Sequence, residues 1–391
     1  MNRRTVALIA IAFFALAAVF SPALGQGKPA ETESVAKILA RSCALSGCHQ
    51  GRYPAQNLNF EPGRVLTSAL NSPSQGNAKH KIIDTDAPEQ SYLLMKIKGE
   101  KGIAGGRMPL NTTPLTEAEI ATIQDWIVSL KGQGLNQAPD PAAAPKKKAP
   151  APAFWGIRLI NLPTTQTVDK HRFLFQISHR YTNGVGSGYD TFYGINGPAS
   201  IMIATGYGLT DRLGIWVKHA NLTHEFELGL GWLLFDQGDK LGLPFSASVY
   251  VGGGLVTEST PGRDLFAAEN LKFTAQLSLA RQFGKRFSVL LVPCFVSNTT
   301  DGLPAIEGSF ALGLGGRFEI LRGLSVIGEW LPVLAGHRAE ANGWGFGLEE
   351  KIGGHVFQVF LANSLGMTSD RFIPGSLKKD VRIGFNIFRT F

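Results

Sequence analysis

The feature that most constrains this chain is a period-two alternation of apolar and small or polar residues, which continues to the last residue, Phe391. In the segment LKFTAQLSLAR, 271–281, every second residue is apolar or small, and GSFALGLGGRFEI, 308–320, repeats the pattern. Successive side chains of a β-strand point to opposite faces, so this alternation predicts strands with one apolar face.

Loop spacing decides between a soluble β-sandwich and a membrane β-barrel. A sandwich has short strands with turns every ~8–12 residues, whereas these strands are about as long as the ~9–11 residues that a tilted membrane strand needs. Tight turns such as LTDRL, 209–213, alternate with long loops such as TESTPGRDLFAAEN, 257–270. This arrangement predicts an antiparallel transmembrane barrel of about 12 strands. The predicted strand centres are Phe175, Ile203, Ile215, Leu230, Tyr250, Ala275, Leu291, Leu314, Gly328, Gly347, Val359 and Phe385.

Two segments of this region carry a resemblance to a known family. NLPTTQTVDKHRFLFQISHRY, 161–181, and GYGLTDRLGIWV, 206–217, resemble an uncharacterised family of bacterial β-barrel proteins, over most of 155–391. The alternating C-terminus that ends on Phe391 is similar to the signal by which outer-membrane barrels are recognised for insertion. The resemblance implies an outer-membrane barrel in contact with lipid and adds nothing about activity.

The start of the chain predicts export. Arg3 and Arg4 precede the apolar run TVALIAIAFFALAAVF, and the small residues Ala23 and Gly25 follow it. This order is typical of a secretory signal peptide, which we assign to 1–25. The alternative, an uncleaved membrane anchor, is disfavoured because the run is shorter than the ~20 residues of a spanning helix.

Export limits the partners and the use of cysteine. A net charge of +8 and a pI near 9.4 could indicate nucleic acid, but an exported protein rarely meets it, so we expect no nucleic-acid partner. Three cysteines in 391 residues are too few for a disulfide scaffold. Cys294, within a strand, is expected to be a buried, inert thiol.

The N-terminal region, 31–131, has helical periodicity. Val35, Ile38 and Leu39 follow the i, i+3, i+4 spacing, and SYLLMKI, 91–97, predicts a second short helix. A third helix is expected to begin at Thr116, with Glu119 completing a capping box. Such a small core often needs a cofactor, a metal or a disulfide for stability.

The segment CALSGCH offers a cofactor. Haem c is attached at C-x-x-C-H, where two thiols form thioethers and the histidine binds the iron. Here Cys43, Cys48 and His49 have the spacing C-x4-C-H. The two additional residues require the intervening loop to bulge, which glycine at Gly47 makes easier.

A second iron ligand is expected from a later loop. The segment GGRMPLN places Met108 before Pro109, which disfavours helix for the methionine, and a His/Met pair raises the haem potential. Met95, in an apolar helical run, and His80, in a polar stretch, are weaker candidates.

Four ordered segments, CALSGCHQG, PEQSYLLMKIKG, GGRMPL and PLTEAEIATIQDWI, together resemble a class I-type cytochrome c domain. The resemblance covers 31–131 and implies a small all-α domain with one covalent haem c per chain. It implies that Cys43 and Cys48 attach the haem and that His49 and Met108 bind the iron. A Cys43–Cys48 disulfide is the alternative, but it leaves GGRMPL unexplained.

The predicted organisation is therefore a signal peptide, a haem domain at 31–131, a Pro/Ala/Lys-rich linker at 132–154 and a barrel at 155–391. We expect no enzymatic activity. The leading hypothesis is electron transfer by haem c, with the domain in the periplasm, anchored by the barrel and serving periplasmic redox partner proteins. The alternative is a porin or transporter with a redox-sensing cytochrome domain. A haem peroxidase would need an open iron position.

Two further expectations concern the barrel. Its Gly- and Ser-rich inner faces favour an open lumen, and four lumen-facing carboxylates are expected to solvate a pore: Glu225, Glu227, Glu329 and Glu349.

The linker segment 137–154 could extend about 55 Å at ~3.1 Å per residue. A mobile helical domain with little fixed contact to the barrel is therefore expected.

Overall fold

The computed structural model describes residues 32–45, 48–52, 54–110, 113–131, 152–239, 241–299, 307–376 and 379–391. The predicted signal peptide and residues 132–151 of the predicted linker lie outside these ranges. Within them, no helix is both long enough and apolar enough to cross a membrane.

The N-terminal part folds into four short α-helices. They are α1 (Glu33–Ser42), α2 (Val65–Ala69), α3 (Tyr92–Lys98) and α4 (Glu117–Ser129). The capping box at the start of α4 is confirmed, because Thr116 accepts the Glu119 backbone N–H and Glu119 accepts that of Thr116. The helices predicted before Cys43 and after Ser91 are confirmed as α1 and α3.

The helical domain has an ordinary apolar core. The side chains at the predicted helix positions are buried against one another, and α1 and α3 both contact α4. Arg41 at the end of α1 also forms an ion pair with Glu119 of α4. The fully buried members are Val35, Leu39, Val65, Ala69, Ile83, Leu94, Ile97, Ile123 and Ile127.

The C-terminal part is a closed antiparallel barrel. Strands β1 to β8 pair in sequence, β9 pairs with β8 and β11, and β11 to β13 pair in sequence until β13 closes the barrel on β1. The strands are β1 (Phe173–Tyr181), β2 (Ala199–Gly208), β3 (Leu213–Ala220), β4 (Glu225–Phe235), β5 (Ser246–Val256), β6 (Leu271–Phe283), β7 (Phe287–Val296), β8 (Ser309–Leu321), β9 (Leu324–Leu331), β10 (Val333–Gly336), β11 (Gly343–Ile352), β12 (His355–Ala362) and β13 (Arg382–Thr390).

The prediction of twelve strands is confirmed, although the described residues form thirteen segments. β9 and β10 are two parts of one barrel strand: they flank Pro332, and both pair with β8. Proline cannot donate to the ladder, which explains the interruption. Each of the twelve predicted centres lies inside a different strand of the barrel.

Side chains alternate between an apolar exterior and a polar interior. Phe346 and Val359 point outwards and are 58% and 60% exposed, whereas the inward Gln176, Ser288 and Asn386 are fully buried. A soluble protein would place these side chains the other way round. An apolar surface around a polar interior is the arrangement of a membrane barrel.

The two ends of the barrel differ. Short connections at 209–212, 284–286, 322–323 and 353–354 lie at one end, which we call the tight-turn end. The C-terminus lies there too, since the Phe391 N–H donates to the Phe173 carbonyl at 2.8 Å. The longer connections, 182–198, 257–270 and 363–381, lie at the opposite end.

Candidate functional site

A chain segment that precedes β1 fills the barrel lumen. We call residues 153–168 the plug segment; its apolar side chains Phe154, Leu159, Ile160 and Leu162 are 0–1% exposed. Its tip is a tight turn, in which the Leu159 N–H donates to the Leu162 carbonyl at 2.9 Å. The lumen is therefore closed in this structure.

One carboxylate, Glu329 of β9, holds the tip of the plug segment. It accepts the backbone N–H groups of Ile160, Asn161 and Leu162 at 3.0–3.1 Å, and the Asn161 side-chain amide at 2.8 Å. Hydrogen bonds to an ionised acceptor are stronger than neutral ones. The expectation that Glu329 solvates a pore is wrong, because its oxygens are occupied by the plug segment.

The remaining polar groups of the plug segment are also bound by lumen-facing side chains. Each of the strands β1, β5, β6, β8, β12 and β13 contributes a side chain to these bonds. The donors from the barrel wall are Arg180, Ser248, Ser278, Arg317, Gln358 and Asn386. Each of these bonds satisfies a polar group that the closed lumen removes from water, so the match between wall and plug segment stabilises the closed state.

Glycines of β8 make room for the plug segment. A Cβ at Gly313 would lie 2.4 Å from a Leu162 methyl group, and one at Gly315 would lie 2.4 Å from a Leu159 methyl group. The expectation that small inner-face residues indicate an open lumen is wrong for this strand. Here glycine provides space for leucines of the plug segment.

A second segment enters from the opposite end. We call residues 363–376 the inner loop; it contains a short helix, α5 (Ser369–Phe372). Glu225 accepts the Thr368 hydroxyl at 2.8 Å and Glu227 accepts the Ser369 N–H at 3.0 Å. The inner loop also meets the plug segment, because Asn161 donates to the Ser364 hydroxyl at 3.0 Å.

The other lumen carboxylates also have protein partners. Glu227 forms a buried ion pair with Lys218 and accepts the Tyr250 hydroxyl at 2.6 Å. Glu349 accepts the side-chain amide of Gln358 at 2.7 Å. The prediction that these residues face the lumen is confirmed, but they hold protein segments together and do not line an open pore.

The predicted haem-attachment residues lie together at the end of α1. Cys43 is the C-cap of α1, and the Cys43 carbonyl accepts the His49 N–H at 3.1 Å. Cys43 and Cys48 are free thiols. Burial, reinforced by Cys48, raises the pKa of Cys43 to about 12, and burial also raises that of Cys48. Both thiols are therefore protonated at neutral pH.

His49 is oriented by backbone carbonyls. Its Nδ1 lies 3.1 Å from the Ala55 carbonyl and 3.3 Å from the Leu58 carbonyl, so Nδ1 carries the proton and Nε2 is the acceptor. Burial lowers the pKa of His49, which keeps the imidazole neutral. A neutral imidazole whose second nitrogen donates to a carbonyl is the usual form of a metal-binding histidine.

Met108 lies in a loop that is attached to α3. Its N–H donates to the Lys96 carbonyl at 2.9 Å, and the Lys96 ammonium donates to the Ala104 and Gly106 carbonyls. The Lys96 charge also lowers the pKa of His49, although it contributes less than burial and the hydrogen bonds to the two carbonyls. Lys96 thus connects the Met108 loop to the surroundings of His49. Met95, by contrast, is a core residue.

The donor set fits a covalent haem c. Two thiols, an oriented imidazole and a half-exposed methionine occur within one small domain. In addition, the buried Trp126 Nε1 has no hydrogen-bond partner among the described residues, so a donor is left for a bound group. The described residues contain no cluster of three or more His, Cys, Asp or Glu side chains that could hold a metal ion without haem.

The residues that follow His49 dock the helical domain on the tight-turn end of the barrel. The Arg52 N–H donates to Asp169 at 3.3 Å, and its guanidinium donates to Thr167 at 3.3 Å and pairs with Asp236 at 3.6 Å. Gly51, at φ +77°, allows this approach, because a Cβ there would overlap the Asp169 carboxylate.

Arg172, at the entrance to β1, makes the second set of docking contacts. It donates to Gln50 and forms an ion pair with Glu61 at 3.2 Å. Together, these bonds contradict the expectation of a helical domain with little fixed contact to the barrel. The contact brings the C-x4-C-H motif next to residues 167–169, where the plug segment ends.

Neither the plug segment nor the docking residues are predicted from the sequence. Residues 153–168 were divided between the predicted linker and the predicted barrel. The signal was present: Phe154, Leu159, Ile160 and Leu162 are apolar but lack strand alternation, and Pro163 follows them. An apolar, non-alternating segment beside a Gly-rich strand can be recognised as a lumen plug only once the barrel is closed.

A family model described as a membrane bound β-barrel domain, DUF5777, matches residues 154–391. The chain belongs to this family. The match covers the plug segment and every barrel strand, and together with the apolar exterior it supports an outer-membrane location. It does not extend to the helical domain.

The solved structures to which the chain is similar are outer-membrane channels and porins of low identity. The COG4313 outer membrane channel from Pseudomonas putida F1 is 14% identical, with a TM-score of 0.39 over 58% of this chain and 98% of that one. The NanC porin is 8% identical, with a TM-score of 0.35 over 56% and 98%. The KdgM porin is 10% identical, with a TM-score of 0.35 over 56% and 99%. No curated protein matches the chain.

Proposed function

We propose that this protein is an outer-membrane channel held closed by its own plug segment and inner loop, with a redox-sensing haem c domain docked at its periplasmic mouth. The proposal rests on the hydrogen bonds between Glu329 and the tip of the plug segment. Glu329 binds the tip of a segment that lies between the linker and β1 and forms no ladder with any barrel strand. Such a segment can leave the lumen without breaking the barrel ladder.

The contents of the lumen support a channel. Its wall carries Arg, Lys, Glu, Gln, Ser and Asn side chains, and a water-filled passage can solvate all of them when the plug segment leaves. Membrane barrels of this kind either conduct through a polar interior or close it with an inserted segment. Short turns face the periplasm in such barrels, which supports a periplasmic position for the helical domain.

The docking contacts provide a physical connection between the helical domain and the gate. Arg52 lies three residues after His49 and binds Thr167 and Asp169, the residues at the end of the plug segment. A rotation of the helical domain therefore pulls on the plug segment. Bound haem c would supply one-electron redox chemistry at the His49/Met108 site, and Cys43 and Cys48 would attach it.

Planar-bilayer conductance of the full chain tests the proposal. We expect the protein to be mostly closed, and Glu329→Ala to conduct, because each of the three N–H groups left without an acceptor costs about 1–3 kcal/mol. Glu340→Ala, in an exposed loop, is the matched control and should stay closed. Heat-modifiable migration in gels verifies the barrel. A folded Glu329→Ala barrel that does not conduct contradicts the proposal.

A second candidate function is electron transfer to periplasmic redox partner proteins. It is favoured by the geometry of His49, whose Nδ1 is bound to carbonyls and whose Nε2 remains available. If Met108 is the second ligand, Met108→Ala should lower the midpoint potential, since a methionine ligand raises it. Met95→Leu, in the core, is the control. An unchanged potential and spectrum in Met108→Ala would show that Met108 is not a ligand.

A further inference from the structure

A cavity of about 120 Å³ lies where the helical domain meets the tight-turn end of the barrel. Gln50 and Arg52 line it from the helical domain, and Asp169, Lys351 and Thr390 line it from the barrel part. Liquid water occupies about 30 Å³ per molecule. The cavity can therefore hold a small organic molecule or a few waters.

Lys351, at the end of β11, is the one charged side chain of this cavity without a partner among the described residues. Its charge interacts with Glu349 and Asp169 only through space. Each of those carboxylates has another partner for one of its oxygens: Glu349 Oε2 accepts from Gln358, and Asp169 Oδ1 accepts the Arg52 N–H. Arg52 itself is paired with Asp236. A partly buried ammonium that lacks a partner is costly unless an anion joins it.

The lining selects among anions. The apolar side chains of Trp155, Ile157, Leu174 and Val356 form part of the wall, and they favour a ligand with a short hydrocarbon part. The carboxylate of Asp169 is also in the wall, so a second negative charge on the ligand would be repelled. One free cation, one apolar wall and a few polar groups match a singly charged carboxylate better than a phosphate dianion.

We propose that this interface cavity is a binding site for a small monocarboxylate, whose carboxylate pairs with Lys351. The site does not include Glu329, although the plug-segment residues Trp155 and Ile157 form part of its wall. It lies beside the attachment motif, since the Lys351 charge opposes burial in setting the pKa of Cys48. A ligand there contacts the helical domain and the barrel at once.

Saturation-transfer NMR with the detergent-solubilised full chain and acetate as probe tests the site. We expect saturable acetate binding, at least tenfold weaker in Lys351→Gln and retained in Lys351→Arg. Lys285→Gln, which alters an exposed lysine of a tight turn, is the matched control and should bind as the native protein does.

Three results would overturn the inference. They are no acetate binding to the native protein, equal binding by Lys351→Gln, and preferential binding of inorganic phosphate. Heat-modifiable migration checks that each variant is folded, and Lys351→Arg separates loss of charge from loss of fold. Conductance is not part of this test, so its outcome is independent of the proposed channel function.

Discussion

The helical domain buries mainly apolar side chains, whereas the barrel buries many polar side chains beside an apolar cluster and has an apolar outer surface. In the helical domain, Leu39, Ile97 and Ile127 are fully buried; in the barrel, Gln176, Arg180 and Asn386 are 0–1% exposed while Phe346 is 58% exposed. The comparison shows that the two parts are stabilised by different means. The first needs a core, and the second needs partners for its lumen groups.

The two parts also differ in how they are completed. The helical domain is small, and its C-x4-C-H motif, His49 and orphaned Trp126 N–H suit a bound cofactor. The barrel is filled by its own chain, because the plug segment and inner loop bind side chains of the lumen wall. The predictions below separate these two modes, beginning with the largest expected effect.

The largest effect is expected from Cys43→Ser combined with Cys48→Ser. If haem c completes the helical domain, the double variant should lose covalent haem, and the domain should become sensitive to protease while the barrel stays heat-modifiable. Haem-stained denaturing gels and limited proteolysis provide the two measurements. Cys294→Ser, in the barrel, should retain the haem stain. A native protein without covalent haem would contradict the proposal that haem c completes the helical domain.

Gly313→Leu tests the completion of the barrel. The added side chain would occupy the space of Leu162 in the plug segment, and overpacking costs about 1–3 kcal/mol. We expect the plug segment to become accessible to protease and conductance to rise. Gly253→Leu, which points outwards on β5, is the matched control and should change neither. A protected plug segment in folded Gly313→Leu would mean that the lumen is less filled than described.

Gly51→Ala tests the docking between the two parts. At φ +77° a Cβ is strained, and here it also overlaps the Asp169 carboxylate. Gly63→Ala separates the two effects, because Gly63 has φ +76° and nothing within 4 Å of its Cβ. Backbone strain should lower the free energy of unfolding of both variants by roughly 1 kcal/mol, but only Gly51→Ala should release the helical domain from the barrel. Interdomain cross-linking yield measures the release; equal yields would show that this contact does not control docking.

The smallest effect is a pH dependence of docking. Burial alone would raise the pKa of Glu61, but hydrogen bonds from Asn59, Arg172 and the Gly51 N–H outweigh it and lower the pKa. Of these partners only Arg172 belongs to the barrel part, so only its contribution makes the pKa of Glu61 lower in the docked than in the undocked state. This contribution stabilises docking at higher pH and is lost as the pH falls through the lowered pKa of the docked state. The interdomain cross-linking yield of the native protein should therefore fall in acid. The yield of Glu61→Gln should be lower than the native yield at neutral pH and should fall less in acid.

The sequence predicted the elements of both parts because each is specified locally. Period-two alternation located every barrel strand, and the capping box at Thr116 and Glu119 located the start of α4. The residues of the proposed haem site were also found from sequence, because attachment chemistry requires cysteines and a histidine close together along the chain. Their role remains a prediction.

What the sequence did not predict depends on contacts between distant residues. Glu329 and the amides of 160–162 are separated by more than 160 positions, so the carboxylate that closes the lumen has the same local pattern as one that lines a pore. Gly313 is likewise ambiguous, since a glycine inside a barrel can widen the lumen or accommodate a plug.

By itself, the sequence determined a helical domain with a candidate haem motif and a twelve-stranded membrane barrel, since periodicity, capping and motif spacing act over a few residues. Only the tertiary structure decided that the lumen is closed and that residues 50–52 bind the tight-turn end. The physical reason is that a buried polar group requires a partner but does not specify which one. For Glu329 and Arg52, closure of the barrel brought those partners within reach.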